Sequence, residues 1–341
     1  MEFIKKLEFG NYTLKFGDDV LLDYIDEIVM PSFYEMNYVR SIENRSDYFF
    51  LNTEMVVLDA NHANPVLGIQ GRIVKDTMLV REQIFEGNSI VPDHEEMESA
   101  PSSFFLLILN THRLILCKEV SGAPGIENFQ GTSQFCLTKR WKEYIDELYE
   151  EAKELRESDP DAPRVTKKAL RAQIPAPKLR ITTLTDQKSL EEFVDLFETI
   201  NTLSIKLLPT NSEEIDNDDF WNALADRGEE LNSNQASVRF SNPEEGLNSN
   251  SVLEQLSSAT GLANSEFSMK GYNEDGDIIK GSNDDFALLC EADNLSTDVG
   301  DAAQESYEKF KELVADGRIN LPQRDPRGLR EIIANLYQRF A

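Results

Sequence analysis

The chain has 341 residues, 34 of them basic and 62 acidic, for a formal charge of −28. That charge repels phosphate backbones at long range and argues against passive coating of DNA, while leaving room for a local basic site. With 40% hydrophobic and 28% charged residues the chain can bury an ordinary core, and its length exceeds what one core usually fills, so two domains are expected.

Met1 to Glu8 lacks the apolar stretch of a signal peptide, and no run of about 18 apolar residues could span a bilayer. Phe3 to Phe9 and Tyr12 to Phe16 alternate as strands around Gly10-Asn11, which predicts a hairpin. Leu21, Leu22, Ile25, Ile28 and Val29 recur at helical spacing before Pro31. The β-rich runs Tyr48 to Leu58, Val66 to Val74 and Met78 to Phe85 predict an antiparallel sheet. Glu86 to Pro101 reads as a polar loop, and Phe104 to Leu109 with Leu114 to Cys117 as a pair of central strands. Thr138 begins a helix striped by Trp141, Tyr144, Ile145, Leu148, Ala152 and Leu155, and Ser158 to Pro163 breaks it.

Beyond a short helical piece at Thr166 to Ala172, strands and helices alternate. The strands are Leu179 to Leu184, Leu203 to Leu208, Ala236 to Ser241, Glu266 to Tyr272 and Asp277 to Lys280. The helices are Leu190 to Ile200, with Ser189 and Glu192 as a capping box, Phe220 to Leu231 and Ser251 to Leu262. A helix from about Asp301 to Ala315 and an amphipathic tail helix bearing Leu329, Ile332, Ile333, Leu336 and Phe340 close the chain. The expected fold class is α+β. An N-terminal domain (1–157) holds a mostly antiparallel sheet with packing helices, and a basic, proline-containing connector (158–178) follows. A C-terminal α/β sandwich with alternating strands and helices (179–315) then leads to the tail helix (316–341).

From Ala162 to Thr185 the chain holds Arg164, Lys167, Lys168, Arg171, Lys178 and Arg180 without one carboxylate, its sharpest departure from the acidic average. Such a segment attracts anions and reads as a phosphate-backbone clamp, or else as a connector docked on acidic surfaces beside it. The tail adds Arg318, Arg324, Arg327, Arg330 and Arg339, and its helix either packs on its own domain or joins two copies in a homodimer.

Catalytic signals are sparse. Cys117, Cys136 and Cys290 fit neither a disulfide framework nor paired zinc knuckles, which points to a reducing, cytoplasmic setting. His62, His94 and His112 lie at turns or in the acidic stretch Asp93 to Glu96, and none has a zinc-ligand partner at the right spacing. Asp216, Asp218 and Asp219 do not match a calcium loop, and no phosphate-binding glycine motif is present, so no cofactor or metal is expected. A divalent-metal nuclease needs paired carboxylates and a lysine, and the one tolerable set is Asp161, Asp186 and Lys188.

Two segments, Pro101 to Phe105 and the strand-turn-strand Phe267 to Lys280, resemble pieces of bacterial and prophage proteins tied to phage exclusion, and the order of elements is similar to that of phage lambda exclusion A-like proteins. The resemblance implies an antiviral-defence setting, DNA binding and no catalytic signature. The leading expectation is a non-enzymatic, bacterial or phage-encoded defence component that binds nucleic acid through the connector, or binds a partner protein of the defence system. A metal-dependent nuclease and an acidic DNA mimic or adaptor stand as alternatives, and in no case is membrane association expected.

Overall fold

The protein is described by a computed structural model covering residues 3–34, 36–43, 45–61, 65–208, 219–231, 233, 235–260, 265–321 and 328–340. In chain order, β1 (Lys6–Phe16) and β2 (Asp19–Val20) lead into irregular helical turns over Leu21–Val29 and α1 (Met30–Phe33). Strands β3 (Arg40–Ile42), β4 (Ser46–Asp59), β5 (Val66–Glu86), β6 (Ser89–Ser99), β7 (Ser102–Ile108) and β8 (Arg113–Lys118) follow. Next come α2 (Ile126–Ser158), α3 (Lys167–Gln173), β9 (Lys178–Thr183), α4 (Gln187–Val194), β10 (Thr199–Leu207), α5 (Asp219–Glu230) and β11 (Ala236–Ser241). The rest is α6 (Ser249–Thr260), β12 (Ser265–Tyr272), β13 (Ile278–Ser282), a 3₁₀ turn at Asn283–Phe286, β14 (Leu289–Glu291), α7 (Val299–Ala315) and α8 (Leu329–Phe340).

This is an α+β protein with two antiparallel sheets. The large sheet runs β14-β1-β8-β7-β5-β4-β3, with β2 and β9 also on β1 and β6 on β5; the small one runs β11-β10-β12-β13. Helices cover both faces of the large sheet. Phe105, Leu107, Leu114 and Leu116 face α2 and α8, whereas Phe104, Leu106, Ile108 and Ile115 face α7. A strand buried on both sides needs apolar residues at every position, which is why Phe104 to Leu109 reads as an unbroken run. At the centre of the first face, Phe33, Phe50, Phe105 and Phe129 meet with ring centroids 4.8 to 6.3 Å apart.

The small sheet is covered on one face only, where α4, α5 and α6 bury Leu190, Trp221, Val252 and Leu256 against Ile205, Phe267 and Met269. Its other face carries no helix.

Several local expectations change. Gly10-Asn11 makes no turn: β1 runs through it, pairing with β8 on one side and β9 on the other. The glycine serves close packing instead, since a Cβ there would lie 2.9 Å from Ile181 Cγ2, and buried Asn11 accepts a 2.6 Å hydrogen bond from Arg113. Glu86 to Pro101 is a strand rather than a loop, because its apolar members pair rung by rung with β5. Helix α2 starts at Ile126, a dozen residues before Thr138, as Phe129 and Cys136 already belong to its buried face.

The sheets also partition the chain differently from the expected 1–157 and 179–315. β9, β14, α7 and α8 all belong to the large unit, so 187–286 forms an insertion within it. The insertion leaves and returns at one place: Asp186 N–H donates to Phe286 O at 2.8 Å and Leu288 N–H to Leu184 O at 2.7 Å. Tail helix α8 buries Leu329, Ile333 and Leu336 in the large unit, and Arg339 ties it to Asp26 at 2.7 Å. Its apolar stripe is thereby covered within the same chain. No helix among the described residues is long and apolar enough to cross a membrane.

Candidate nucleic-acid interface

Strand β12 alternates strictly: Ser265, Phe267, Met269 and Gly271 are buried, while Ser268, Lys270 and Tyr272 are exposed. Period-two alternation puts each set on one face, and the pairings carry the outward set across the sheet. Ser204 lies opposite Ser268 and Arg239, Lys206 opposite Glu266 and Ser237, and Lys270 opposite Lys280. The uncovered face therefore displays Lys206, Arg239, Lys270 and Lys280 among serines and threonines, with Tyr272 (41% exposed) as its aromatic. Gly271 on the inner face admits no side chain, because a Cβ would lie 2.0 Å from Thr199 O.

Lys270 and Lys280 stand directly opposite each other on adjacent strands. Like charges in that relation destabilise a sheet. Both ammonium groups are exposed, and neither belongs to an ion pair among the described residues. Between them lies a depression of about 280 Å³ lined also by Thr202, Ser268, Ser282 and Asp285. The Asp285 carboxylate already accepts from Ser282 N at 2.8 Å and Ser282 Oγ at 3.0 Å, so much of its charge is committed to that turn.

The connector joins this face at one point. Arg180 of β9 donates to Glu266 Oε1, and Lys206 Nζ lies 3.2 Å from Glu266 Oε2. Partial burial pushes the Glu266 pKa up, but the hydrogen bonds from Arg180 and Lys206 prevail and hold it below the ordinary carboxylate value. One carboxylate thus holds a cation from each unit, and Lys178, exposed two residues before Arg180, lies on the same side of β9.

The remaining connector cations disperse. Lys167 pairs with Asp146 at 2.7 Å and lies 5.2 Å from the Tyr149 ring, and Arg171 lies 5.9 Å from the Trp141 ring, so both fasten α3 to α2. Arg164 and Lys168 are exposed. Of the six, the structure brings only Lys178 and Arg180 beside the small sheet, and the docked-connector reading describes Lys167 and Arg171. Lys206, Arg239, Lys270, Lys280 and Tyr272 escape a reading based on runs of charge because they alternate with apolar residues. The period-two pattern of Phe267 to Tyr272 is the signal that finds them.

The nuclease set does not form a metal centre. Asp186 caps α4, accepting from the N–H groups of Lys188 and Ser189 at 3.0 and 3.4 Å, and its other oxygen pairs with Arg318 at 2.6 Å. Lys188 points into solvent, 3.9 Å from Glu192, and Asp161 is an exposed turn residue whose N–H donates to Asp159. Among the described residues no three histidine, cysteine or carboxylate side chains are grouped to hold an ion. His94 pairs with Glu96 at 3.2 Å on the exposed β6, and His112 is buried at a turn with φ of 51°. His62, Asp216, Asp218, Arg324 and Arg327 lie outside the described residues. The three cysteines are buried and free, and burial pushes the Cys117 thiol up to about 11 and the Cys136 thiol to about 12, far from a reactive thiolate.

No protein-family model matches the chain, and no curated protein matches it.

Proposed function

We propose that the chain is a non-enzymatic nucleic-acid-binding protein of bacterial or phage origin, acting in phage exclusion or a related antiviral defence. Binding runs through the uncovered face of the small sheet and the adjoining end of the connector. The observation that carries this reading is the opposed pair Lys270 and Lys280, an arrangement that costs stability in the free protein and is relieved by an anion between the two strands. Arg239, Lys206, Arg180 and Lys178 extend the positive track, and Tyr272 offers a surface for a base. An open four-stranded face suits an unstacked single strand better than the major groove of a duplex. The defence setting rests on the resemblance of the segments at 101–105 and 267–280 to phage-exclusion proteins.

A mobility-shift titration with a single-stranded oligonucleotide of about 20 nucleotides tests the reading. If three to four phosphates are neutralised, log K falls against log salt with a slope of about −2 to −3. The variant Lys270→Glu/Lys280→Glu is expected to abolish the shift, and Arg164→Glu/Lys168→Glu to leave it within a few-fold. The reverse ranking would move the site to the outer connector, and no shift at low salt by wild-type protein would sink the proposal in favour of an acidic mimic or adaptor.

A further inference from the structure

Past Thr77, β5 loses its neighbours: its pairing with β4 ends at Thr77 and with β7 at Val74, so from Met78 to Glu86 only β6 accompanies it. Nine residues at about 3.3 Å each make a two-stranded arm projecting about 30 Å from the body. An isolated ribbon of this kind is marginal in water.

The arm's two faces differ. Pairing places Leu79 with Met97, Arg81 with Glu95, Gln83 with Pro92, and Phe85 with Ile90 on one face. The other face takes Met78 with Glu98, Val80 with Glu96, Ile84 with Val91, and Glu86 with Ser89. On the first face Leu79, Met97, Phe85 and Ile90 are 48%, 59%, 75% and 67% exposed, a degree unusual for four neighbouring apolar side chains. The charge between them is internally balanced, since Arg81 pairs with Asp93 at 2.6 Å and Glu95 at 2.5 Å. The uncompensated acids Glu96, Glu98 and Glu86 lie on the back.

We propose that the apolar face of this arm pairs two copies of the chain about a two-fold axis. The pattern along the face is apolar, polar, apolar, with Leu79 and Phe85 six residues, or about 20 Å, apart. A two-fold axis in the plane of contact, level with residue 82, sets Leu79 and Met97 of one copy on Phe85 and Ile90 of the other. That is the self-complementarity an isologous interface requires. Charge argues against other occupants: six carboxylates against Arg81 between Met78 and Ser99 repel nucleic acid and anionic lipid alike. Edge-to-edge strand addition is blocked on β6, where Pro92 has no N–H and the register shifts beside it. At roughly 100 Å² from each of four side chains, two faces bury about 800 Å², below the standard of a stable dimer and in the range of weak, reversible association.

Sedimentation equilibrium of the full chain from 1 to 300 μM tests this. The mass should rise from monomer to dimer, with dissociation constants at least tenfold weaker in Phe85→Glu/Ile90→Glu and in Leu79→Glu/Met97→Glu. Val80→Glu, on the back of the arm, should change it by less than threefold. Far-UV circular dichroism of each variant checks that the body stays folded, since the substituted side chains are exposed. A wild-type monomer at 300 μM, or a dimer indifferent to both double variants, overturns the proposal. So does flotation of the wild-type protein with phosphatidylserine-containing vesicles that Phe85→Glu/Ile90→Glu abolishes, because the arm's occupant would then be a bilayer.

Discussion

Replacing Lys280 by glutamate should make the free protein more stable and its complex with nucleic acid weaker, two effects of opposite sign from one side chain. Lys270 and Lys280 are cross-strand partners, and with their ammonium groups splayed to about 7 Å the repulsion in water's dielectric is about 0.6 kcal/mol. Screening at 0.15 M salt, where the Debye length is about 8 Å, cuts this to roughly 0.3 kcal/mol. Lys280→Glu removes that repulsion and puts an attraction of similar size in its place. The net gain is about 0.5 kcal/mol at physiological salt and about 1 kcal/mol at low salt, with Lys280→Ala near half of each. On the binding side, one phosphate contact fewer lowers the salt slope by about 0.7, worth roughly fivefold in affinity at 0.1 M salt. Urea unfolding at 20 and 150 mM salt, beside oligonucleotide titrations at the same salts, measures both. A variant that is less stable than wild type at both salts, or one that binds as tightly, refutes the claim that this lysine pair is held in tension for an anion.

Phe105→Ala should cost about 3–5 kcal/mol in chemical denaturation, because its ring contacts Phe33, Phe50 and Phe129 and the sheet leaves little room for collapse. Ellman's reagent at pH 8 should label Cys117 and Cys136 only as fast as the large unit opens, since burial raises both thiols well above that pH; rapid labelling of the native protein would contradict the packing around them. Glu266, whose pKa is lowered in the fold, contributes stability that is complete above the ordinary carboxylate value of about 4.3 and is lost as pH falls through its own lower value. Glu266→Gln should therefore flatten part of the acid limb of the stability curve, and an unchanged limb would mean that the Arg180 and Lys206 contacts contribute nothing.

The α+β class and most strands were legible because local pattern and burial agree there. Phe104 to Leu109 is apolar at every position and lies in a sheet covered on both faces, while Glu266 to Tyr272 alternates and lies in a sheet covered on one. What escaped depends on distant partners. Gly10-Asn11 looks like a turn until β8 and β9 close on it from both sides. Glu86 to Ser99 looks like a loop because acids occupy most positions on one of its faces. The interface was hidden for the same reason: Lys206, Arg239, Lys270 and Lys280 come from four strands spread over 75 positions, and only the sheet's register assembles them.

The insertion of 187–286 has a bearing on how the protein is made. β1 cannot complete its edge until Leu289 to Glu291 have been synthesised, since Lys6 pairs with Glu291 and Leu7 with Cys290. At roughly 5–20 residues per second the ribosome takes about 15–55 seconds to reach them after β1 has emerged. In that interval the inserted unit, whose strands pair with one another, can form on its own, while the first strand stays exposed along part of its length. Assembly then proceeds from the middle of the chain outward, and a ribosome stalled between 260 and 288 would display a finished binding face on an unfinished body.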